Sequence, residues 1–160
     1  MKTTPPTAID VEFMRKALEL AEVAQRHGDV PVGAVVVWGG EIASAGFNQK
    51  EANHDPTAHA EMVALRQASA RRGGWRLSGA TLYVTKEPCI MCAAACVASR
   101  IDRIVYGCAD PKGGGAGSVF NLVDGARLNH RIEVHAGVLC DEASAMLRAF
   151  FQARRAAQEL

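Results

Sequence analysis

The chain has 160 residues, about the size of one compact domain, and 49% of them are hydrophobic, which is enough to bury a core. The formal net charge of +1 excludes nucleic-acid binding through a basic field over the whole surface and leaves a local basic patch as the alternative. No apolar run reaches the roughly 20 residues of a membrane span, and residues 1–10 lack the apolar stretch of a secretory signal, so we expect a cytoplasmic protein without a membrane partner.

The first predicted element is a helix, because apolar residues recur with the helical period over residues 10–26 and a His-Gly pair then ends the pattern. Residues 1–8, ahead of this helix, are expected to be disordered. Two strand-like runs follow, VGAVVVW and EIASAGF, and the two glycines that join them predict a hairpin.

A loop then leads into a second helix from about Ala58 to Arg72. Farther along, ATLYVT predicts a strand, CIMCAAACVASR a helix and RIVYGC a strand. Residues 109–124 contain four glycines and predict a mobile loop, RIEVHAG predicts a short strand, and residues 141–158 predict a final amphipathic helix. This order predicts one α/β domain over residues 1–160, with helices packed on a mostly parallel sheet.

Five cysteines, an odd number, argue against a disulfide framework in a cytoplasmic chain and favour metal binding, catalysis or burial. Cys89 and Cys92 are three residues apart, and Pro88 directly before them suits a helix start. Both thiols would then lie on one face of the first turn, where the helix N-terminus favours thiolates. The pair is half of a zinc site.

The segment PTAHAEMVAL contains the groups that complete such a site. His59 would be a third ligand, and three protein ligands leave one tetrahedral position for water, which is typical of catalytic zinc. Glu61 would be the general acid and base that the metal site lacks. Because residues two apart on an ideal helix point to nearly opposite sides, these two side chains can converge only if His59 lies at the edge of the helix.

Two other interpretations of the cysteines stay open. Cys96, on the same helical face as Cys92, would close the site into a structural zinc, although a thiol one turn deeper among alanines is typical of an inert buried cysteine. A redox CxxC pair would explain the thiols but leaves the HAE motif without a role. Cys108 and Cys140 lack partner spacing and are interpreted as structural.

His-x-Glu followed by Pro-Cys-x-x-Cys is a known signature of zinc-dependent base deaminases. Beyond it, the chain resembles the bacterial tRNA-specific adenosine deaminases, which convert the wobble adenosine (position 34) of an anticodon to inosine. The similarity runs from about Val30 to Arg155 and includes VPVGAVVV, HDPTAHAEMVALRQA, LYVTKEPCIMCAAA, SRIDRIVYGCADPKGG, LNHRIEV and FFQARR. The zinc motif, shared with cytidine and guanine deaminases, specifies chemistry only, whereas LNH and the final FF..RR favour tRNA.

The resemblance implies a three-layer α-β-α sandwich with a central mixed five-stranded sheet, as in cytidine deaminases. It implies one Zn²⁺ per subunit bound by His59, Cys89 and Cys92, with Glu61 as the proton shuttle. The residues that it implies for substrate binding are Asn48, Val32, Asp110, Lys112, Phe150, Phe151, Arg154 and Arg155. The implied partners are the anticodon stem-loop of an arginine tRNA and a second copy of the chain in a homodimer.

Purely structural roles remain open as alternatives for several of these residues. Asn48 is also suited to a turn that ends the hairpin, and Asp110 with Lys112 to a solvated loop tip. One phenylalanine of an amphipathic helix is usually core, so we expect only one of the final pair to face RNA. A Gly-Gly-Gly run at 113–115 departs from the family pattern and leaves the loop contacts open. The alternative functions are a guanine or cytosine deaminase acting on small molecules, and a zinc-stabilised module that only binds RNA.

Overall fold

A computed structural model describes residues 5–160. Its elements are α1 (Ala8–Arg26), β1 (Gly33–Trp38), β2 (Glu41–Phe47), α2 (Lys50–Asn53), α3 (Ala60–Arg72), β3 (Thr81–Lys86), α4 (Ile90–Ala98), β4 (Arg103–Cys108), β5 (Glu133–Ala136) and α5 (Cys140–Gln158). Of the segment expected to be disordered, residues 1–4 lie outside the described part of the chain. Thr7, by contrast, caps α1 through a capping box with Asp10, so the helix begins two residues earlier than predicted.

The five strands form one sheet in the order β2-β1-β3-β4-β5. Strand β1 pairs antiparallel with both β2 and β3, whereas β4 pairs parallel with β3 and β5. The expected mixed five-stranded sheet is confirmed. The mostly parallel sheet predicted from the order of elements is wrong, because a hairpin strand lies between β2 and β3 and makes two of the four pairings antiparallel.

Helices cover both faces of the sheet, which completes the three layers. Helices α3 and α4 pack on one face, and α1 and α5 pack on the other. Strand β1 is buried on both faces, so its run of valines does not alternate with polar residues. Within residues 5–160, none of the helices combines the length and the apolarity needed to cross a bilayer.

Two features of this packing hold the helices against the sheet. A Cβ at Gly46 of β2 would overlap the carbonyl oxygen of Ala60, so glycine allows the N-terminus of α3 to lie directly on the sheet. Asp10, 2% exposed, accepts hydrogen bonds from the Tyr83 hydroxyl at 2.9 Å and from the Arg103 guanidinium at 2.7 and 3.1 Å. This buried cluster holds α1 against β3 and β4.

Candidate active site

The three predicted zinc ligands meet where α3 and α4 begin. His59 is the N-cap residue of α3 and Cys89 the N-cap residue of α4, and neither side chain caps its own helix. The Nδ1 atom of His59 lies 3.6 Å from the Sγ atoms of both Cys89 and Cys92. Their ligand atoms all lie within 4.8 Å of one another, a cluster that can hold a metal ion.

This donor set suits zinc, which binds imidazole and thiolate in tetrahedral sites. The hydrogen bond from the Cys92 thiol, opposed by burial and helped by His59, lowers the pKa of the Cys89 thiol to about 3. The hydrogen bond with Cys89 raises the pKa of His59. Cys96 is fully buried and not part of the cluster, and burial raises the pKa of its thiol, as expected of a structural cysteine.

Glu61 reaches the same pocket as His59 although the two residues are only two positions apart in the sequence. His59 has an extended backbone, with φ −72° and ψ 152°, and so lies just outside the helix in which Glu61 is the second residue. Glu61 is 4% exposed, and burial raises the pKa of its carboxyl group to about 7. A carboxyl group that titrates near neutral pH is suited to both accepting and releasing a proton.

The pocket in front of these residues has a volume of about 180 Å³. Val32 and Asn48, two of the residues expected to bind substrate, line it. The side chain of Asn48 accepts a hydrogen bond from the backbone N–H of Ala60 at 2.9 Å and donates one to the carbonyl of Val30 at 3.1 Å. Asn48 is therefore more than a turn residue, because its amide ties the start of α3 to the chain ahead of β1.

A larger groove of about 690 Å³ lies beside the pocket. Lys86, Asp110 and Phe151 line both cavities, which places the groove next to the catalytic residues. Four cationic side chains and one acidic side chain line the groove: Lys86, Lys112, Arg148, Arg155 and Asp110. The chain as a whole is nearly neutral, and these side chains form a local basic patch at the groove.

The four predicted RNA contacts on helix α5 fall into two pairs, of which one lines the groove and the other does not. Phe151, 41% exposed, and Arg155 line the groove. Phe150 is only partly exposed and packs edge-to-face against Phe151, with ring centroids 5.4 Å apart. Arg154 lies over the Phe150 ring and 3.9 Å from a carboxylate oxygen of Glu51 in α2. Only one residue of each predicted pair therefore lines the groove.

Lys86 and Glu87 line the catalytic pocket and were not predicted as site residues. The signal in the sequence was the charged dipeptide KE between a buried strand and the Pro-Cys turn, where two adjacent charges are unusual. Glu87 also holds part of the glycine-rich loop that was predicted to be mobile. Its carboxylate accepts hydrogen bonds from residues between 110 and 118, so this part of the loop is fastened to the sheet.

Comparison with known proteins agrees with this geometry. The family model of the cytidine and deoxycytidylate deaminase zinc-binding region matches residues 7–108. The chain is 47% identical to the tRNA-specific adenosine deaminase of Bacillus subtilis (strain 168) over 146 residues, covering 91% of each protein. It is 48% identical to the enzyme of the same name from Haemophilus influenzae, covering 91% of this chain and 85% of that protein.

Comparison of this chain with solved structures also finds deaminases. A structure from a study of A-to-I editing by tRNA:A34 deaminases at the wobble position superposes with a TM-score of 0.82 at 40% identity, covering 85% of this chain and 99% of that one. The guanine deaminase from Nitrosomonas europaea superposes with a TM-score of 0.76 at 26% identity, covering 94% and 86%. The chain therefore belongs to the zinc-binding cytidine and deoxycytidylate deaminase family, and its resemblance to the bacterial tRNA-specific adenosine deaminases is confirmed.

Proposed function

We propose that this protein is a zinc-dependent tRNA adenosine deaminase, which converts the wobble adenosine of an anticodon to inosine and releases ammonia. The observation that carries the proposal is the buried carboxyl of Glu61 beside a His-Cys-Cys cluster, in a pocket that adjoins a cationic groove. The relatives named tRNA-specific adenosine deaminase support the choice of substrate.

His59, Cys89 and Cys92 are the proposed zinc ligands. They offer one imidazole and two thiols, a set that leaves a tetrahedral position open and distinguishes a catalytic from a structural site. When bound, zinc supplies a Lewis acid that makes hydroxide available near neutral pH. His59 and Cys89 are the N-cap residues of α3 and α4, so zinc bound by them would join the N-termini of the two helices beside the pocket.

Glu61 moves the protons. Hydrolytic deamination adds water to C6 of adenine and breaks the bond to the exocyclic nitrogen, which leaves as ammonia. In our proposal the Glu61 carboxylate accepts a proton from the attacking water, delivers one to the ring nitrogen beside C6, and assists protonation of the departing amine. Asn48 and Val32 hold the base in the pocket, with Asn48 contributing the polar contact.

The groove would bind the nucleotides that flank the target base. An anticodon base is already single-stranded, so its extrusion into the pocket costs less than opening a duplex. Phe151 offers a ring for stacking at the junction of pocket and groove, and Lys112, Arg148 and Arg155 offer cations for phosphates. This arrangement favours a polynucleotide over a free base, because a free base would leave the groove unused.

A second copy of the chain is the proposed protein partner. All nine residues of α4 are apolar, yet Ile90 at its start is 48% exposed. Val119 and Phe120, 43% and 46% exposed, lie close by, because both backbone N–H groups donate to the carbonyl of Gly114, which bridges to Cys89. We define Ile90, Val119 and Phe120 as the apolar patch, and we propose that it forms part of a homodimer interface.

Light scattering at micromolar concentration tests the dimer. Phe120→Glu should shift the mass towards the monomer, because a charge would be buried in an apolar interface. Ile9→Glu is the matched control, since Ile9 is 60% exposed on α1, the helix on the opposite face of the sheet. A wild-type protein that is monomeric and fully active would contradict the homodimer.

An arginine tRNA, which the resemblance implies, and a cytoplasmic location complete the proposal. The test is to incubate the purified protein with the anticodon stem-loop of arginine tRNA, free adenosine, cytidine and guanine, and to measure inosine, uridine and xanthine. We expect inosine in the stem-loop as the main product. The structural similarity to a guanine deaminase makes that activity the second candidate, and faster formation of xanthine from guanine would favour it.

A further inference from the structure

Glu87 is a buried carboxylate that the deamination step does not use. It is 2% exposed and directly follows β3. One carboxylate oxygen accepts a hydrogen bond from the backbone N–H of Asp110 at 2.8 Å. The other accepts from the backbone N–H groups of Ala116 at 3.1 Å and Ser118 at 3.0 Å, and the Ser118 hydroxyl also donates to the carboxylate. Four donors from one loop therefore converge on a single side chain.

Glu87 has no cationic partner among the ion pairs of residues 5–160. A buried carboxylate is costly unless its lone pairs are satisfied, and here loop donors satisfy them. The loop also passes close over the carboxylate, because a Cβ at Gly114 would overlap it. The interaction thus selects one conformation of residues 110–118 and explains why a glycine-rich segment is held in place.

The conformation of residues 110–118 also determines which side chains lie between the pocket and the groove. The carboxylate of Asp110 accepts hydrogen bonds from its own loop, from the N–H groups of Lys112 and Gly113, and contacts Lys86 at 2.7 Å. Farther along, the N–H of Gly115 donates to the carbonyl of Pro88 at 2.8 Å, next to the turn that carries Cys89. Glu87 thereby links the placement of Asp110 and Lys112 to the strand end beside the metal cluster.

We propose that Glu87 is a positioning residue for the polynucleotide substrate: it fastens residues 110–118 so that Asp110 and Lys112 face the nucleotides that flank the target base. The inference rests on the proposed function, because it assumes that RNA occupies the groove. Glu87 acts through the loop and does not touch the reacting atoms.

Glu87→Gln tests this inference, because glutamine keeps the size of the side chain but replaces an acceptor oxygen by a donor NH₂ group. We expect one zinc per chain, as in wild type, and a KM for the stem-loop that rises about tenfold or more, since charge-assisted hydrogen bonds are lost. The kcat should change much less than KM. Hydrogen exchange at the amides of Asp110, Ala116 and Ser118 should accelerate, whereas the amides of α4 should exchange as before.

Asp10→Asn is the matched control for lost stability. Asp10 is also 2% exposed and accepts several hydrogen bonds, but it lies at α1, away from the pocket. Both variants should melt at lower temperature, and only Glu87→Gln should raise KM. If both raise KM equally, or if Glu87→Gln lowers only the melting temperature, the positioning role is wrong.

Ser118→Ala gives a second, milder test that does not depend on the folding of Glu87→Gln. It removes one donor to Glu87 and leaves the others, so loop amide exchange and KM should change in the same direction by a smaller factor. Unchanged exchange and unchanged KM in Ser118→Ala would overturn the inference. A wild-type enzyme that does not act on the stem-loop would contradict the proposed function, whereas the exchange data would still test the anchoring of the loop.

Discussion

The ammonium group of Lys86 and the carboxylate of Asp110 form an ion pair of 2.7 Å between the catalytic pocket and the cationic groove. Their side chains are 33% and 15% exposed. Burial alone would raise the pKa of Asp110, but hydrogen bonds from Lys86 and from the N–H groups of Lys112 and Gly113 lower it, so the carboxylate is charged at neutral pH. If RNA occupies the groove as proposed, the pair would place a fixed cation beside its phosphates.

Lys86→Gln should therefore weaken binding of the anticodon stem-loop. If Lys86 contacts one phosphate, the slope of log Kd against log salt concentration should decrease by roughly 0.7, the value for a single-stranded contact. Lys16→Gln is the control, because Lys16 is exposed on α1 and pairs with Glu19 of the same helix. A salt slope that stays at the wild-type value in Lys86→Gln would show that Lys86 merely balances the charge of Asp110.

Glu61→Gln should abolish turnover while zinc content and RNA binding persist. Loss of a general acid and base typically reduces kcat by about 10²-fold or more. Zinc analysis, stem-loop binding and inosine formation should be measured on the same preparation. Full deaminase activity of this variant would remove Glu61 from the mechanism, whereas a wild-type protein that binds the stem-loop but forms no inosine would favour the zinc-stabilised binding module.

Cys92→Ala should lose zinc and activity together, because it removes one of the three proposed ligands. Cys96→Ala should keep both and lose about 1–2 kcal/mol of unfolding free energy, since it removes a fully buried sulfur from the core. The two residues lie one turn apart on α4, which makes them a matched pair. Release of zinc from Cys96→Ala would support the closed structural site instead.

Arg155→Glu and Arg154→Glu should differ in their effect on stem-loop binding, although the two residues are adjacent. Arg155 lines the groove, whereas Arg154 lies near Glu51 and over Phe150. Charge reversal at Arg155 should weaken stem-loop binding strongly at low salt, and the loss should shrink as salt rises, because ionic attraction is screened. Melting temperatures should remain near wild type, since the changes are at exposed positions. An equal loss in Arg154→Glu would place the RNA on the other side of α5.

Asp10→Asn should lower the unfolding free energy by about 1–3 kcal/mol at neutral pH, because charge-assisted hydrogen bonds are lost. Burial tends to raise the pKa of Asp10, but hydrogen bonds from Arg103, Thr7 and Tyr83 hold it well below its usual range. A lowered folded-state pKa stabilises the protein above the unfolded-state value of about 4, and this contribution is lost progressively as pH falls from there through the folded-state pKa. In urea titrations the difference between wild type and variant should therefore shrink below about pH 4. A difference that does not depend on pH would contradict this account.

The zinc motif was predictable because its geometry is local. Cys89 and Cys92 are three apart at a helix start, so their thiols share a face whatever the rest of the chain does. The helices and strands were predictable for a related reason, because apolar periodicity reflects which side of each element is buried. Neither signal determines which elements become neighbours, and the mostly parallel sheet predicted from the order of elements was wrong, because β1 lies between β2 and β3 and pairs antiparallel with both.

Tertiary packing decided the rest of the site. His59 meets the cysteines and shares a pocket with Glu61 only because α3 begins after His59 and lies against β2 at Gly46. The apolar residues of α5 that pack towards β4 set the rotation of this helix, and that rotation selects Phe151 and Arg155 for the groove. Glu87 stands in the sequence only as half of a charged Lys-Glu pair, and the role proposed for it depends on donors 23 to 31 residues away. Such roles arise from contacts between distant segments, and a pattern along one segment carries no information about them.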